Sequence, residues 1–326
     1  MRTLECICLI TSSTRMKGML KRWGSKGTAK FRMRSARLAS LASKQMNMED
    51  ADQLAEQDFL EIQREDDSYD HAYRTVREGI DVGLPISVVP REYLPNFDFS
   101  MAKAVVVLGQ DGLVANTAKY VRGLPIIGVN PDPSRYDGVL LPFQVNEARR
   151  CVQRVLKDAA AVRTVTMGRA DLNDGQSLLA FNDFFIGCQS HGSARYRIEQ
   201  GPHSEQHSSS GVIVSTGAGS TGWLSSVYNM VKGFSSSSND TQDLSSMGWE
   251  DRALAWVVRE PFKSKVSSAN MVVGKIEEGV SLGIESLMSE RGVIFSDGIE
   301  ADALEFNTGS IVSIRVADQV ARLVVR

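Results

Sequence analysis

Cysteine is scarce in this chain: Cys6, Cys8, Cys151 and Cys188 are the four among 326 residues. They show no paired metal-binding spacing and no secretory context, which argues against a disulfide framework and fits a reducing cytoplasm. Cys6 and Cys8 lie two apart in LECICLI, so on a strand they point to one face as small core residues. Net charge is nearly absent, since 37 Lys and Arg against 39 Asp and Glu leave −2. That balance gives no footprint of nucleic acid as a partner. The N-terminus lacks a long hydrophobic run: its seven-residue stretch is interrupted by Glu5 before the chain turns basic, so neither a signal peptide nor a membrane span is expected. No segment repeats at a fixed period. Low complexity is confined to Gly233–Met247, with serines at 235 to 238, which reads as a mobile surface loop. His203 and His207 stand four apart after Gly-Pro, among serines and with no third ligand nearby, so they read as loop residues and no metal site is expected.

Acidic residues are missing from one further stretch. Between Glu5 and Glu49 there are ten basic residues and no acidic one, including Arg15, Lys17, Lys21, Arg22, Lys26, Lys30 and Arg32, whereas Glu49 to Asp70 is strongly acidic. Two complementary solvated segments account for this pattern, and a basic flap over a polyphosphate donor is the functional alternative.

What is present is a chain long enough for two cores, with 42% hydrophobic and 23% charged residues. Its first part alternates apolar runs with helical segments: LECICLI, a long polar helical region, LPISVV, AVVVL and LPIIGV. This predicts an α/β domain with a parallel, Rossmann-like sheet over residues 1–144. After a helix around Val145 to Ala161, short apolar runs follow one another with turn signals between them. They include RTVTMGRADL, the Asn-Asp-Gly turn at 173 to 175, LLAFNDFFIG, ARYRIE, GVIV, LAWVVRE, NMVVG, GVSLGIES, GVIFSDG, SIVSIRVA and ARLVV. A mainly β sandwich over 145–326 is the expectation.

Two stretches carry chemistry. Val105, Val106, Val107 and Leu108 form an unalternating apolar run, as in a parallel strand buried on both faces, and Gly109 and Gly112 then bracket Asp111 ahead of a helix. Glycines at such a turn permit positive φ and close ligand approach, while the first helical amides face an anion. A carboxylate at its centre points to a base or a hydroxyl acceptor beside that phosphate. An Asp-Gly pair is also an ordinary turn former, and both readings stand at this point. Downstream, Val212, Ile213 and Val214 lead into Ser215–Gly222, all Ser, Thr, Gly or Ala, and then Trp223, Leu224, Val227, Met230 and Val231 at helical spacing. Ser220 or Thr221 is the expected N-cap. A serine-rich connector is the alternative, which the tight flanking by strand and helix disfavours.

In this order and spacing the two stretches resemble the NAD kinase family, whose signatures are GGDGT and T-P-T-G-S-T-A-Y. The first corresponds to Gly109-Gln110-Asp111-Gly112-Leu113, a degenerate form, and the second to Thr216–Trp223. An Asn-Glu pair that opens a strand in the family is similar to Asn182-Asp183. The run GVNPDPSRYDGVLLP from Gly128, which contains Asn130, looks closer to the mitochondrial-type branch. So do Ser209-Ser210-Gly211, REPF at Arg259–Phe262 and FSDGIEADAL. The resemblance implies transfer of phosphate from ATP or another donor such as polyphosphate to the adenosine ribose 2′-hydroxyl of NAD, giving NADP. It implies Asp111 as the catalytic group, and Gly109 and Gly112 around the phosphates. Asn130, Asn182, Asp183, Ser210, Thr216, Gly219, Ser220, Thr221 and Trp223 would bind the dinucleotide. Magnesium would accompany ATP, and a homodimer or higher homo-oligomer would place the site near a subunit contact. Gln110 and Leu113 depart from the family pattern, which keeps a non-catalytic dinucleotide sensor as a rival. GGDGT alone is shared with lipid and sugar kinases, the third class.

Overall fold

The computed structural model describes residues 5–12, 48–234 and 247–326. Most of the basic run before Glu49 and most of the serine-rich stretch after Gly233 lie outside the described residues. The chain folds into two compact units. The first draws on Met1–Val114, Ile126–Ala161 and Val324–Arg326, the second on Ala115–Pro125 and Val162–Leu323.

In the first unit, strands β1 (Cys6–Thr11), β2 (Ile86–Pro90), β3 (Ala102–Leu108), β4 (Pro125–Asn130) and β5 (Phe143–Gln144) pair in parallel in the order β2-β1-β3-β4-β5. Val105 to Leu108 are completely buried, the outcome their unalternating apolar run demands. Helices α1 (Met48–Gly79), α2 (Asp111–Ala118) and α3 (Ala148–Leu156) accompany the sheet. Tyr69, Ala72 and Val76 of α1, followed by Ile80, recur at helical spacing and pack on one sheet face. Ala148, Cys151, Val152 and Val155 of α3 join the same core with Ile7, Leu9, Val106 and Val129. Burying each such aliphatic side chain stabilises the unit by about 1.5–3 kcal/mol. The 3-10 turn Val145–Glu147 that leads into α3 opens with a capping box of Gln144 and Glu147, the Gln144 N–H donating to Glu147 Oε2 at 2.8 Å. Cys6 and Cys8 are buried free thiols, as their alternation predicts. Burial, and secondarily Cys6, pushes the Cys8 thiol up to about 12.

The second unit is an antiparallel β-sandwich. Its strands are β6 (Val162–Leu172), β7 (Ser177–Ala180), β8 (Asp183–Cys188), β9 (Ala194–Gln200), β10 (His203–Ser209), β11 (Val212–Ser215), β12 (Ala253–Val258), β13 (Val273–Glu277), β14 (Ser281–Ser286), β15 (Gly292–Ser296), β16 (Ile299–Glu305) and β17 (Ile311–Val324). One sheet runs β13-β12-β11-β8-β15-β16, and in the other β10-β9-β14-β17 continues to β6 and β7. Alternate residues face inward: Phe184, Ile186, Val214 and Trp256 from the first sheet meet Tyr196, Ile198, Leu282, Ile284, Val312 and Ile314 from the second. Helix α4 (Ser225–Phe234) lies beyond β11, and Val227 and Tyr228 pack with Ile213, Ala255 and Val257 on the opposite face of the first sheet.

Four local expectations change. LLAFNDFFIG is two strands with Phe181 and Asn182 between them, and SIVSIRVA and ARLVV are one continuous strand, β17. His203 and His207 lie on strand β10. Its side chains are nearly all polar, because the strand pairs with β9 on one side and with the 262–271 segment on the other. Neither Ser220 nor Thr221 caps a helix: Ser220–Leu224 form a π-type turn that begins after Gly219, with no side-chain cap.

Candidate functional site

In the first unit the strand-to-helix turn after β3 is built by Tyr69 and Gly109. The Tyr69 hydroxyl donates to the Leu108 carbonyl at 3.1 Å and accepts the Ser12 N–H at 3.0 Å, tying the carboxyl ends of β3 and β1 together. Gly109 is required by close approach, because a Cβ there would stand 2.8 Å from Leu113 Cδ2 and 3.2 Å from Ser12 Oγ. Neither Gly109 nor Gly112 adopts positive φ, which corrects the conformational reason expected for them. Gly112 faces open space. Asp111 is the first residue of α2 and is half-buried. Its Oδ1 accepts the Leu140 N–H at 2.6 Å. Leu140 reaches this place because Gly128 lets the backbones touch: a Cβ at 128 would lie 2.0 Å from the Leu140 carbonyl oxygen. Asn130 is buried, and its amide serves the loop leading to Leu140. It donates to the Tyr136 carbonyl at 2.9 Å and accepts the Asp132 N–H at 3.0 Å. Ser12, Tyr69, Gly109, Gln110, Asp132 and Tyr136 line a small crevice here.

β1 is flanked by β2 and β3, so the chain reverses its direction of progress across the sheet between them. In open parallel sheets, the carboxyl ends of the strands at such a reversal form the crevice where ligands bind. Asp111 opens the helix directly behind that edge.

In the second unit the head of β8 is held by a carboxylate that sequence reading passed over. Asp297, in the turn between β15 and β16, accepts three successive backbone N–H groups. Phe181 donates to Oδ2 at 3.0 Å, while Asn182 and Asp183 donate to Oδ1 at 2.6 and 3.3 Å. Its own N–H donates to the Asp183 carbonyl at 2.9 Å, and its backbone sits at φ 55°. From the other side Thr216 donates its hydroxyl to the Phe181 carbonyl at 2.6 Å and its N–H to the Asn182 carbonyl at 2.8 Å. Gly219 fits only without a side chain, since a Cβ would lie 2.2 Å from that same Asn182 oxygen. The Ser220 hydroxyl donates to the Gly217 carbonyl at 2.7 Å, so the small hydroxyls here build the loop. The Asn182 side-chain amide, half-buried, has no hydrogen-bond partner among the described residues.

Asp183 is buried at 8% exposure. Burial, reinforced by the Asp297 charge, pushes its carboxyl up to about 7. Burial also raises Asp297, to about 6, against Lys119 and the three N–H donors, which hold its charge. Lys119 Nζ in turn donates to Ser296 Oγ at 3.0 Å and pairs with Asp302 Oδ2 at 2.8 Å, and the Tyr120 hydroxyl donates to the same oxygen at 2.5 Å.

Ser210 and Trp223 line a separate cleft of about 470 Å³ in this unit. Trp223 stacks on Phe185 at 5.6 Å with 13° between planes, Phe295 packs against both rings at 5.0 Å from Phe185 and 6.5 Å from Trp223, and the Arg259 guanidinium lies 5.3 Å from the Trp223 ring. Such a wall suits a planar ring. The Ser210 hydroxyl donates to Glu260. Thr221 is exposed, and its carbonyl accepts the Ser225 hydroxyl at 2.8 Å. The expected site residues thus fall into three groups: Gly109, Asp111, Gly112 and Asn130 in the first unit; Asn182, Asp183, Thr216, Gly219 and Ser220 at the β8 head; and Ser210 and Trp223 at the cleft, while exposed Thr221 joins none of them. Asp297 and Asp302 lie in the run FSDGIEADAL, which sequence alone marks only as a resemblance and to which it gives no role, and Lys119 carries no local signal.

No protein-family model and no curated protein matches this sequence. In structure the chain is similar to yeast NADH kinase solved in complex with NADH, with 14% sequence identity, a TM-score of 0.57, and an alignment covering 100% of this chain and 84% of that one. The likeness establishes a shared fold: this chain has an NAD kinase-like architecture of an α/β domain followed by an antiparallel β-sandwich.

Proposed function

We propose that this chain is an NAD kinase-like phosphotransferase that moves the terminal phosphoryl group of ATP, or of another phosphate donor, to the adenosine ribose 2′-hydroxyl of NAD. The observation that carries this reading is the placement of Asp111. It is a half-buried carboxylate with one oxygen oriented by the Leu140 N–H, at the carboxyl edge of a parallel sheet with a strand-order reversal. Asp111 takes the hydroxyl proton, the hydroxyl oxygen bonds to phosphorus, and the bond to the departing diphosphate breaks. Transfer of this kind depends on positioning and charge neutralisation more than on covalent chemistry. Asn182 offers its unpartnered amide to the dinucleotide, Asp183 its carboxyl, and Trp223 a stacking face. Gly109 and Gly112 leave their amides open to phosphate. Among the described residues no group of three or more His, Cys, Asp or Glu side chains gathers into a cation site. A magnesium ion carried by the donor's phosphates would offset their charge there. A homodimer belongs to the same reading.

Purified protein incubated with NAD or NADH, with ATP or polyphosphate, and with magnesium is expected to form NADP or its reduced form. Binding of NAD with no product from any donor would replace this reading with the dinucleotide sensor. One observation favours that rival: Leu113, at 3% exposure, fills the position where the family carries a hydroxyl.

A further inference from the structure

The Asp297 carboxylate raises a question that the proposed reaction leaves open. A side chain that accepts three consecutive backbone N–H groups fixes those peptide planes, and with them the directions of the side chains they carry. Here the planes belong to Phe181, Asn182 and Asp183. The loop behind them is equally constrained by Thr216 and by the Gly219 contact, so the head of β8 is clamped from two sides. Two polar groups emerge from this clamp without a protein partner among the described residues: the Asn182 amide and the Asp183 carboxyl. A buried carboxyl with no hydrogen-bond donor is costly as an anion, and it is costlier beside a second carboxylate.

The charged groups around Asp183 are few. Asp297 faces it from the β15–β16 turn, where its charge is supported by N–H donors. Lys119 and Tyr120 approach from the end of α2 and are engaged by Ser296 and by Asp302 of β16. The Thr216–Gly219 loop brings no charge. Of the two acids, Asp297 has the donors that hold an anion, and Asp183 has none.

Resting on the dinucleotide reading above, we infer that Asp297 is a positioning residue: it clamps the β8 head so that Asn182 and Asp183 meet a bound dinucleotide, where Asp183, buried, without a donor and beside a second carboxylate, serves in its acid form as a hydrogen-bond donor. Asp183 then recognises an acceptor atom of the ligand, and it becomes a repelling, unpaired anion when it ionises. Ligand affinity falls as pH rises through about 7, where the Asp183 carboxyl titrates. This gives the Asn182-Asp183 pair a division of labour. The amide binds at any pH, and the acid binds only while protonated.

Calorimetric titration of the full chain with NAD between about pH 6.5 and 8.5, above the range in which Asp297 itself takes up a proton, tests the inference. In the unaltered protein, affinity is expected to drop roughly tenfold across that range, the scale of one hydrogen bond. Asp183→Asn, whose amide always donates, is expected to bind NAD with an affinity independent of pH. Asp297→Asn keeps one acceptor oxygen but turns an amide donor toward a backbone donor. It is expected to weaken NAD at least ~10-fold, to raise KM more than it lowers kcat, and to move the pH midpoint toward the ordinary carboxyl range. Asp297→Glu does not rescue it, because the extra methylene misplaces the acceptor. An Asp297→Asn protein that keeps both affinity and pH midpoint overturns the inference. If that variant does not fold, Asp183→Asn decides alone, and a retained pH dependence there overturns it equally. Absence of NAD binding by the unaltered protein at every pH sinks the dinucleotide reading itself.

Discussion

Leu140 donates its backbone N–H to Asp111 Oδ1 at 2.6 Å, which leaves the second carboxylate oxygen of Asp111 to act on a ligand. Asp111→Asn preserves this contact, because an amide oxygen can accept the same N–H. The variant is therefore expected to fold and bind NAD while turnover falls at least ~100-fold, the usual order for loss of a general base. NADP formation measured beside calorimetry checks this, and near-normal turnover removes Asp111 from the chemistry.

The Asp111–Leu140 contact also depends on a residue outside the motif. Gly128→Ala would place a Cβ 2.0 Å from the Leu140 carbonyl, so β4 and the 140–141 backbone must separate. We expect a stability loss of about 1–3 kcal/mol from overpacking, with turnover reduced beyond what the remaining folded fraction explains. Denaturant unfolding and rate measured on the same preparation separate the two effects.

Much of this arrangement was legible in the sequence where burial dictates pattern. Val105 to Leu108 could only be a strand covered on both faces, and the inward alternation of β14 and β17 announces a sandwich. The β10 strand was not legible, because every side chain on it is polar: His207 and Ser209 are buried against Tyr196, and Glu205 accepts hydrogen bonds from the Asn270 N–H, its side-chain amide and the Met271 N–H. The clamp on β8 escaped for a different reason. Asp297 meets residues more than a hundred positions away, and no local rule encodes that meeting. Gly109 was identified correctly as special but for positive φ, whereas the physical cause is the Leu113 side chain lying against it.

Glu205 supplies an acid-side prediction. Backbone and side-chain donors from Met271 and Asn270 outweigh its burial, together with His207, and hold its carboxyl down at about 2, against an ordinary value of 4.5. A depressed acid contributes stability that is fully present above its unfolded value and is lost as pH falls through the folded one. Part of the stability should therefore disappear between about pH 4.5 and 2. Glu205→Gln should lower the thermal midpoint at neutral pH and flatten that acid limb. An acid limb of unchanged slope would show that the contacts around Glu205 do not persist in solution.

Asn182→Ala removes the amide that has no partner in the protein, so the free fold should lose little while the ligand loses a contact. We expect NAD binding to weaken by about 1–3 kcal/mol, the cost of leaving a polar group on the buried ligand unpaired. Calorimetry together with a melting curve distinguishes this from a folding defect. An unchanged dissociation constant would make the Asn182-Asp183 pair a feature of the strand alone.

The departures at Gln110 and Leu113 decide between a slow kinase and a sensor. Gln110 is exposed at the turn, and its side chain restricts the backbone that brings amides toward phosphate. Leu113 is buried against Gly109 and carries no hydroxyl into the first turn of α2. One lost charge-assisted contact corresponds to about 1.5–3 kcal/mol of transition-state stabilisation, or roughly 10- to 100-fold in rate. The Gln110→Gly, Leu113→Thr double variant is expected to raise kcat for NADP formation. Its stability should fall by about 1–3 kcal/mol, because threonine leaves unfilled part of the space that Leu113 Cδ2 occupies beside Gly109. A faster but less stable enzyme would mean that Leu113 serves packing at the expense of donor placement. If the variant folds and binds both nucleotides yet forms NADP no faster, the two substitutions are compensated within this turn. If both proteins bind NAD and neither forms NADP from any donor, the fold here holds a dinucleotide without phosphorylating it.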